Sequence, residues 1–368
     1  MVEDAKDRAA QDRTWPSTIY SFVPDADQVC TIAPLGEGNI NATYLVSYEN
    51  RPPLVVQRLN ESVFPDPIGV ARNVELITSY LSTRWSEDFG RCTFCRFPEV
   101  IKCKDGRSWF EDQSGGVWRC LSHVDNGVSY PRVVSDDQPT EAGMMLGCFH
   151  ALLEDFDGSV LVDPLPGFHH LRNYEYSYLE AISSHTRSEN SEFIYCRKRI
   201  DDRLKNRVLE ELVEEAETHK RVIHGDPKCD NFLFDRRTGK ALALIDLDTV
   251  SRGLLAVDIG DCLRSFCNPA GEKAQSTIFF DIGICERLLK SYFKAFDLSR
   301  TEKFLIYHGV RLLTYELGLR FFTDHLNNDR YFKITRKDEN LQRAQVQLKL
   351  LESIEKQRSE IEKLVGID

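Results

Sequence analysis

Residues 222–234 read V-I-H-G-D-P-K-C-D-N-F-L-F, and after a polar turn residues 244–248 read L-I-D-L-D. His224, Asp226, Lys228 and Asn231 fall in a loop that contains Gly225 and Pro227 and leads into a short apolar run. Phe232-Leu233-Phe234 and Ala241-Leu242-Ala243-Leu244-Ile245 predict two strands, with Thr238-Gly239-Lys240 as the hairpin turn between them. A hairpin that turns near 238 returns Asp246 to the end where Asn231 sits. An amide oxygen and a carboxylate then lie side by side, both hard oxygen donors suited to Mg²⁺. Asp226 precedes Asn231 closely enough to face a substrate hydroxyl beside that pair.

Phosphoryl transfer needs this set of groups. A carboxylate orients and deprotonates the attacking hydroxyl, an Asn and an Asp hold the metal on the nucleotide phosphates, and a cation, here Lys228, neutralises developing charge. The D-x4-N spacing of Asp226 and Asn231 is that of a protein-kinase catalytic loop. A loop Asp that caps a turn is the plainer reading of Asp226 alone. The conjunction with I-D-L-D beyond the hairpin is what favours chemistry.

Working outward, the chain divides by pattern. Thr43-Tyr44-Leu45-Val46, Leu54-Val55-Val56, Val100-Ile101, Ser108-Trp109-Phe110 and Val117–Leu121 predict strands, and Val70–Leu81 predicts one amphipathic helix. Beyond Asn126 the pattern is helical. Helices are expected at Thr140–Leu153, Tyr174–Ser184 and Asp202–His219, and a last one carries the seam Leu341, Ala344, Leu348, Leu351 and Ile354. That seam favours packing on the same chain over a coiled coil, so a monomer or weak dimer is expected. The expected organisation is α+β: a polar segment over 1–15, a small β-rich N-lobe over 16–123 and a larger, mostly helical C-lobe over 124–368.

Composition narrows the function. In 368 residues, 47 Lys and Arg face 58 Asp and Glu, a net charge of −11 that argues against a nucleic-acid partner. No apolar window approaches ~18 residues, so no membrane span is expected. The chain opens on a polar, mixed-charge stretch without a secretory pattern, which points to the cytoplasm. The 11 cysteines include one C-x-x-C, Cys92 to Cys95, with Cys103 nearby; no second pair follows at zinc spacing, so scattered reduced thiols are expected. Cys229 is expected to pack within the loop.

A second phosphate-binding candidate lies in the first lobe, where residues 35–46 read L-G-E-G-N-I-N-A-T-Y-L-V. Gly36 and Gly38 let backbone N–H groups approach phosphates closely. A strand, not a helix, follows, which excludes a Rossmann loop.

These features together resemble the aminoglycoside phosphotransferase and choline kinase superfamily, with its bilobal protein-kinase-like fold. Within it the chain is similar to N-acetylhexosamine 1-kinases. The closer likeness rests on G-E-G-N-I-N-A-T-Y-L-V (36–46), V-Q-R-L-N (56–60), V-F-P-D-P (63–67), R-N-V-E-L-I-T (72–78) and F-H-H (168–170). The catalytic loop, I-D-L-D-T-V (245–250), D-I-G-D-C-L-R (258–264) and G-L-R-F-F-T-D (318–324) complete it.

The resemblance implies ATP and Mg²⁺ as cofactors and a sugar acceptor phosphorylated at its anomeric hydroxyl. Asp226 would be the catalytic base, Lys228 would touch the transferred phosphate, and Asn231 and Asp246 would be the metal ligands. Gly36, Glu37, Gly38, Asn39 and Asn41 would cover the ATP phosphates, with Asn39 also near the acetamido group. Arg320 and Asp324 would face the sugar. Glu75 matches the helix carboxylate that anchors a strand Lys, but the strand reads Val56-Gln57-Arg58. Either Gln57 or Arg58 then meets phosphate; alternate residues of a strand face opposite ways, and the register favours Gln57. His169 and His170 are expected to shape a turn, Asp258 and Asp261 to brace the catalytic loop, and Arg264 to pair with them. Another acceptor on the same fold (a different sugar, choline, an aminoglycoside or an amino alcohol) is the first alternative. A nucleotide-binding protein without turnover is the second.

Overall fold

The β-branched and aromatic run Ala42–Tyr48 forms strand β2, which pairs antiparallel with β1 (Val29–Pro34) on one side and β3 (Leu54–Arg58) on the other. β4 (Phe110–Glu111) and β5 (Val117–Ser122) complete a five-stranded sheet in the order β1-β2-β3-β5-β4. Pairing of β3 with β5 puts Gln57 opposite Arg119 and Arg58 opposite Trp118. The structure is a computed structural model that describes residues 19, 21–22, 29–36, 40–87, 96–185, 190–205, 220–274 and 277–367.

Helix α1 (Pro67–Glu87) lies across this lobe and is longer than the 70–81 stripe predicts. Pro67 suits the first turn, where a missing N–H costs nothing, and Asp66 caps it by accepting the Gly69 N–H at 2.8 Å. Val70, Val74, Ile77 and Leu81 are all buried, as that stripe requires.

After β5 the chain runs through 123–126 into β6 (Gly127–Val128), which pairs with β8 (Phe232–Asp235); β9 (Ala241–Leu244) closes a three-stranded sheet. β7 (Arg221–Ile223) pairs with β10 (Ser251–Gly253). Helices α2 (Gln138–Leu152), α3 (Leu171–Ser183), α4 (Ser191–Leu204), α5 (Leu255–Phe266), α6 (Ile282–Ala295), α7 (Arg300–Leu326), α8 (Glu339–Lys356) and α9 (Arg358–Leu364) build the C-lobe. The fold is therefore α+β, with a small antiparallel-sheet N-lobe and a larger helical C-lobe.

The main core lies among these helices, with α2 on α6 and α7 against both α5 and α8. The α5–α7 contact is close because Gly309 faces Ala256: a Cβ there would stand 2.0 Å from the Ala256 carbonyl oxygen. Leu341, Ala344, Leu348, Leu351 and Ile354 are buried where α8 packs on α7 and α4, so the apolar seam is consumed within the chain.

Three expectations change. Val100-Ile101 forms no strand, only an isolated bridge from Val100 to Leu121. Helix α4 begins at Ser191, capped by Asn190, which accepts the Phe193 N–H at 2.8 Å; Asp202–Leu204 therefore ends a helix instead of starting one. Residues 206–219 of the expected helix, and the 1–15 segment, lie outside the described residues. Cys30, Cys103, Cys120, Cys196, Cys229, Cys262, Cys267 and Cys285 are free thiols as expected, but Cys148, fully buried on α2, is disulfide-bonded. Cys92 and Cys95 lie outside the described residues. Among those described, no group of His, Cys, Asp and Glu has metal-site geometry, and no helix is long and apolar enough to cross a membrane.

Candidate active site

The stretch after β7 cannot continue as strand because Gly225 takes φ +87°, a conformation that needs glycine. Its neighbours then hold the turn. The Asp258 carboxylate on α5 accepts the backbone N–H of His224 at 2.6 Å and of Gly225 at 2.8 Å, and meets His150 Nε2 at 2.9 Å. Thr249 Oγ1 donates to the His224 carbonyl at 2.9 Å. His224 Nε2 reaches the Ile245 carbonyl at 3.0 Å and its Nδ1 accepts the Asp226 N–H at 3.3 Å, a pattern that assigns the proton to Nε2. Burial holds this imidazole neutral, with its pKa lowered. The bracing expected of Asp258 is present, and Arg264 pairs with Asp261 at 2.7 Å.

The loop delivers Asp226 beside Lys228, which donates to its carboxylate. Asn231 Nδ2 donates to the Asp226 carbonyl at 2.7 Å and to its Oδ2 at 3.2 Å. Enclosure by protein alone would raise the Asp226 carboxyl; the charge and hydrogen bond of Lys228 reverse that and hold it below the ordinary Asp range. Asp226 is therefore an ionised hydrogen-bond acceptor at neutral pH.

The hairpin behaves as its sequence predicts. Gly239 adopts φ +71° in the turn, Phe232 pairs with Leu244, and the Ile245 N–H donates to the Asn231 carbonyl at 2.9 Å. Asn231 and Asp246 are thereby brought to the same end. Asp246 itself is left-handed, φ +66°, which turns the chain out of β9 into the short helix Leu247–Thr249. It stands at the cleft floor, walled by protein yet open to solvent on one side. That enclosure, with Asp248 beside it and Asp226 near, pushes its carboxyl up to about 6. Asn231 has its amide nitrogen committed to Asp226, and no donor among the described residues meets its amide oxygen. An oxygen-donor pair with surplus negative charge fits a divalent cation such as Mg²⁺.

The remaining predicted residues divide. Gly36 takes φ +74° in the β1–β2 connection. Glu37, Gly38 and Asn39 lie outside the described residues. Asn41 uses its side chain elsewhere than on a nucleotide: Nδ2 donates to Asp248 at 2.6 Å, and Oδ1 accepts the Asn60 N–H at 3.1 Å. Arg58 is corrected by its face. It points away from the cleft toward Glu61 at 3.5 Å and Asp112 at 3.9 Å, while Gln57, its neighbour on β3, faces the cleft side. Glu75 pairs with Lys102 at 3.0 Å, a cation from an adjacent loop and not from β3.

Arg320 on α7 stands among four rings, with its guanidinium 5.4 Å from the Phe168 centroid, 5.1 Å from Tyr174, 5.9 Å from Tyr331 and 5.5 Å from Phe332. It bonds Glu316 at 3.4 Å; Glu316 meets His169 Nδ1 at 3.1 Å, and His169 Nε2 reaches the Gly225 carbonyl at 3.2 Å. Arg320 is thus joined to the catalytic loop through two side chains, and His169 has the turn-shaping role expected of it. Asp324 does not join it. Both its oxygens are filled, by the Arg330, Tyr331 and Phe332 N–H groups and by Asn340 Nδ2, all at 2.9–3.0 Å. Its place is to fold the 330–332 segment that presents Tyr331 and Phe332 to Arg320.

One residue escaped the sequence reading. Arg119 on β5 is 1% exposed; it donates to Gln57 Oε1 through Nε at 3.0 Å and Nη2 at 2.8 Å, and Nη2 also bonds Asp248. The only signal was an Arg inside the otherwise apolar run V-W-R-C-L, since a buried charge must have a partner.

Comparison with known proteins gives the family. The model of the phosphotransferase enzyme family (APH) matches residues 31–291, and the chain belongs to that family. Among solved structures it is similar to an aminoglycoside phosphotransferase from Alicyclobacillus acidocaldarius, with a TM-score of 0.62 and 13% identity over 96% of this chain and 98% of that one. It is also similar to choline kinase from Cryptosporidium parvum, with a TM-score of 0.56 and 13% identity over 94% and 93%. Amicoumacin kinase, solved in complex with AMP-PNP, Ca²⁺ and amicoumacin, gives a TM-score of 0.52 and 17% identity over 99% and 98%. At these identities the likeness is one of fold.

Proposed function

We propose that this protein transfers the γ-phosphoryl of ATP to the anomeric hydroxyl of an N-acetylhexosamine, giving the 1-phosphate. The observation that carries the transfer chemistry is the Asp226 carboxylate, held ionised on a braced loop with Asn231 bonded to it. Asp226 accepts the acceptor hydroxyl's hydrogen bond and so aims its oxygen along the line of attack. A carboxylate of lowered pKa is a weak base. It takes the proton late, as suits a loose transition state in which positioning and charge stabilisation dominate. Lys228 lies against the same carboxylate and can swing its charge toward the transferred group. Asn231 and Asp246 would hold Mg²⁺, which when bound reduces charge repulsion between nucleotide and nucleophile. The glycine loop at Gly36 would cover the phosphates from the N-lobe, and the cytoplasm supplies both substrates.

The acceptor side favours a neutral sugar over a cationic amine. Arg320 sits one side chain removed from the catalytic loop's own brace, and its nearby carboxylate, Glu316, is already shared between Arg320 and His169. A guanidinium at that place repels choline or an aminoglycoside and offers donors to hydroxyl and acetamido oxygens.

ATP consumption measured with GlcNAc, GalNAc, glucose, choline and kanamycin tests the reading. The two acetamido sugars should exceed the others, and Asp226→Ala should abolish that activity while retaining ATP binding. Turnover with choline or kanamycin alone refutes the acceptor. Turnover with none refutes the kinase reading.

A further inference from the structure

The cleft side of the N-lobe sheet lacks a lysine where phosphotransferases of this architecture need a cation, because Gln57 stands on β3. The structure puts a cation one strand away. Thr43, Gln57 and Arg119 form a lateral row across β2, β3 and β5, in register, with Gln57 Nε2 donating to Thr43 Oγ1 at 3.2 Å and Gln57 Oε1 receiving Arg119. Asp248, next but one to Asp246, takes the same Nη2. Gln57 and Asp248 therefore fix the guanidinium through Nε and Nη2, the latter shared between them. One arm is left over: Arg119 Nη1 is buried and has no hydrogen-bond partner among the described residues. Buried donors are rarely left unpaired without a reason. Glu75 gives no competing anchor, because it is taken up by Lys102.

We propose that Arg119 is the N-lobe cation for the nucleotide, its Nη1 donating to a phosphate oxygen and its guanidinium taking from β5 the place that Gln57 leaves neutral on β3. Gln57 then acts as a positioning residue: its carbonyl oxygen holds the guanidinium, and its own amide is tied to Thr43. The assignment rests on the reading of the cleft as an ATP site. It goes beyond that reading in naming which side chain meets the phosphates.

Binding of ADP and of adenosine to the full chain, followed by calorimetry in the presence of Mg²⁺, separates the possibilities. Arg119→Gln should weaken ADP by about tenfold or more, as loss of a charge-assisted hydrogen bond predicts, and leave adenosine within about twofold. Adding Gln57→Lys to Arg119→Gln should recover most of the loss, since the cation then returns on β3. If Arg119→Gln does not fold, Arg119→Lys decides: it keeps the charge against Asp248 but has no free arm, so ADP alone should weaken. Equal losses for ADP and adenosine, or unchanged ADP affinity, overturn the assignment. Failure of the wild type to bind ADP overturns the nucleotide reading itself, and Arg119's role with it.

Discussion

Asp258 on α5 receives the Gly225 N–H at 2.8 Å, one residue before Asp226, so a fully buried helix carboxylate fixes the backbone that carries the proposed base. The same carboxylate takes the His224 N–H and meets His150. Asp258→Asn retains the shape and turns one oxygen into a donor facing donors. It should cost about 1–3 kcal/mol of stability, the usual penalty for unsatisfied buried groups. Urea unfolding measures it, and kcat should fall at temperatures where the variant is still folded. A variant as stable and active as the wild type would show that the loop is held by other contacts.

Gly225 makes a second, steric demand. At φ +87° any Cβ is strained, and here it would also stand 2.6 Å from the Thr249 carbonyl oxygen. Gly225→Ala should therefore destabilise by about 2–4 kcal/mol and shift Asp226 off line. Thermal unfolding and kcat should both drop, with the KM for ATP nearly unchanged.

Asp246 sets a dependence on pH. Its folded-state pKa of about 6 lies above the ordinary Asp value of 3.8. Between those values the folded protein holds more protons than the unfolded chain, so this group's contribution to stability grows as pH falls and is lost as pH rises through about 6. A bound divalent cation replaces the proton. The rise in Tm on adding MgCl₂ should thus be larger at pH 7.5 than at pH 5.5. Asp246→Asn should raise the metal-free Tm at pH 7.5 and remove the response to Mg²⁺. An equal response at both pH values would assign the cation to other ligands.

Arg320, ringed by Phe168, Tyr174, Tyr331 and Phe332, is predicted to serve the acceptor and not the nucleotide. Arg320→Met should raise the acceptor KM by about tenfold, as removal of a planar, multidentate donor predicts, with the KM for ATP within about twofold. Arg320→Lys should rescue little, because an ammonium cannot fill the flat space between the rings. A change confined to the KM for ATP would move Arg320 to the nucleotide side.

Much of the site was legible in the sequence wherever its geometry is local. The Thr238–Lys240 turn sets the hairpin register, and register alone puts Asn231 and Asp246 together. Strand alternation separated Gln57 from Arg58, and the faces observed agree with it. Helix spacing was less informative for Arg320 and Asp324. One turn apart they share a side of α7, but the 330–332 backbone captures Asp324 before any ligand can. Asn41 likewise reads as a phosphate-loop residue and instead ties its loop to Asp248 across the cleft.

What the sequence determined by itself was the α+β order of elements and the hairpin that brings Asn231 and Asp246 to one end, because turns, strand parity and short spacings act over a few residues. Only the tertiary structure decided the partners of the buried charges. Arg119 meets Asp248 across 129 positions and His169 meets Glu316 across 147. No local pattern encodes such pairs. They arise because segments distant in sequence pack together, and a charge taken out of water must find its opposite wherever the fold brings one.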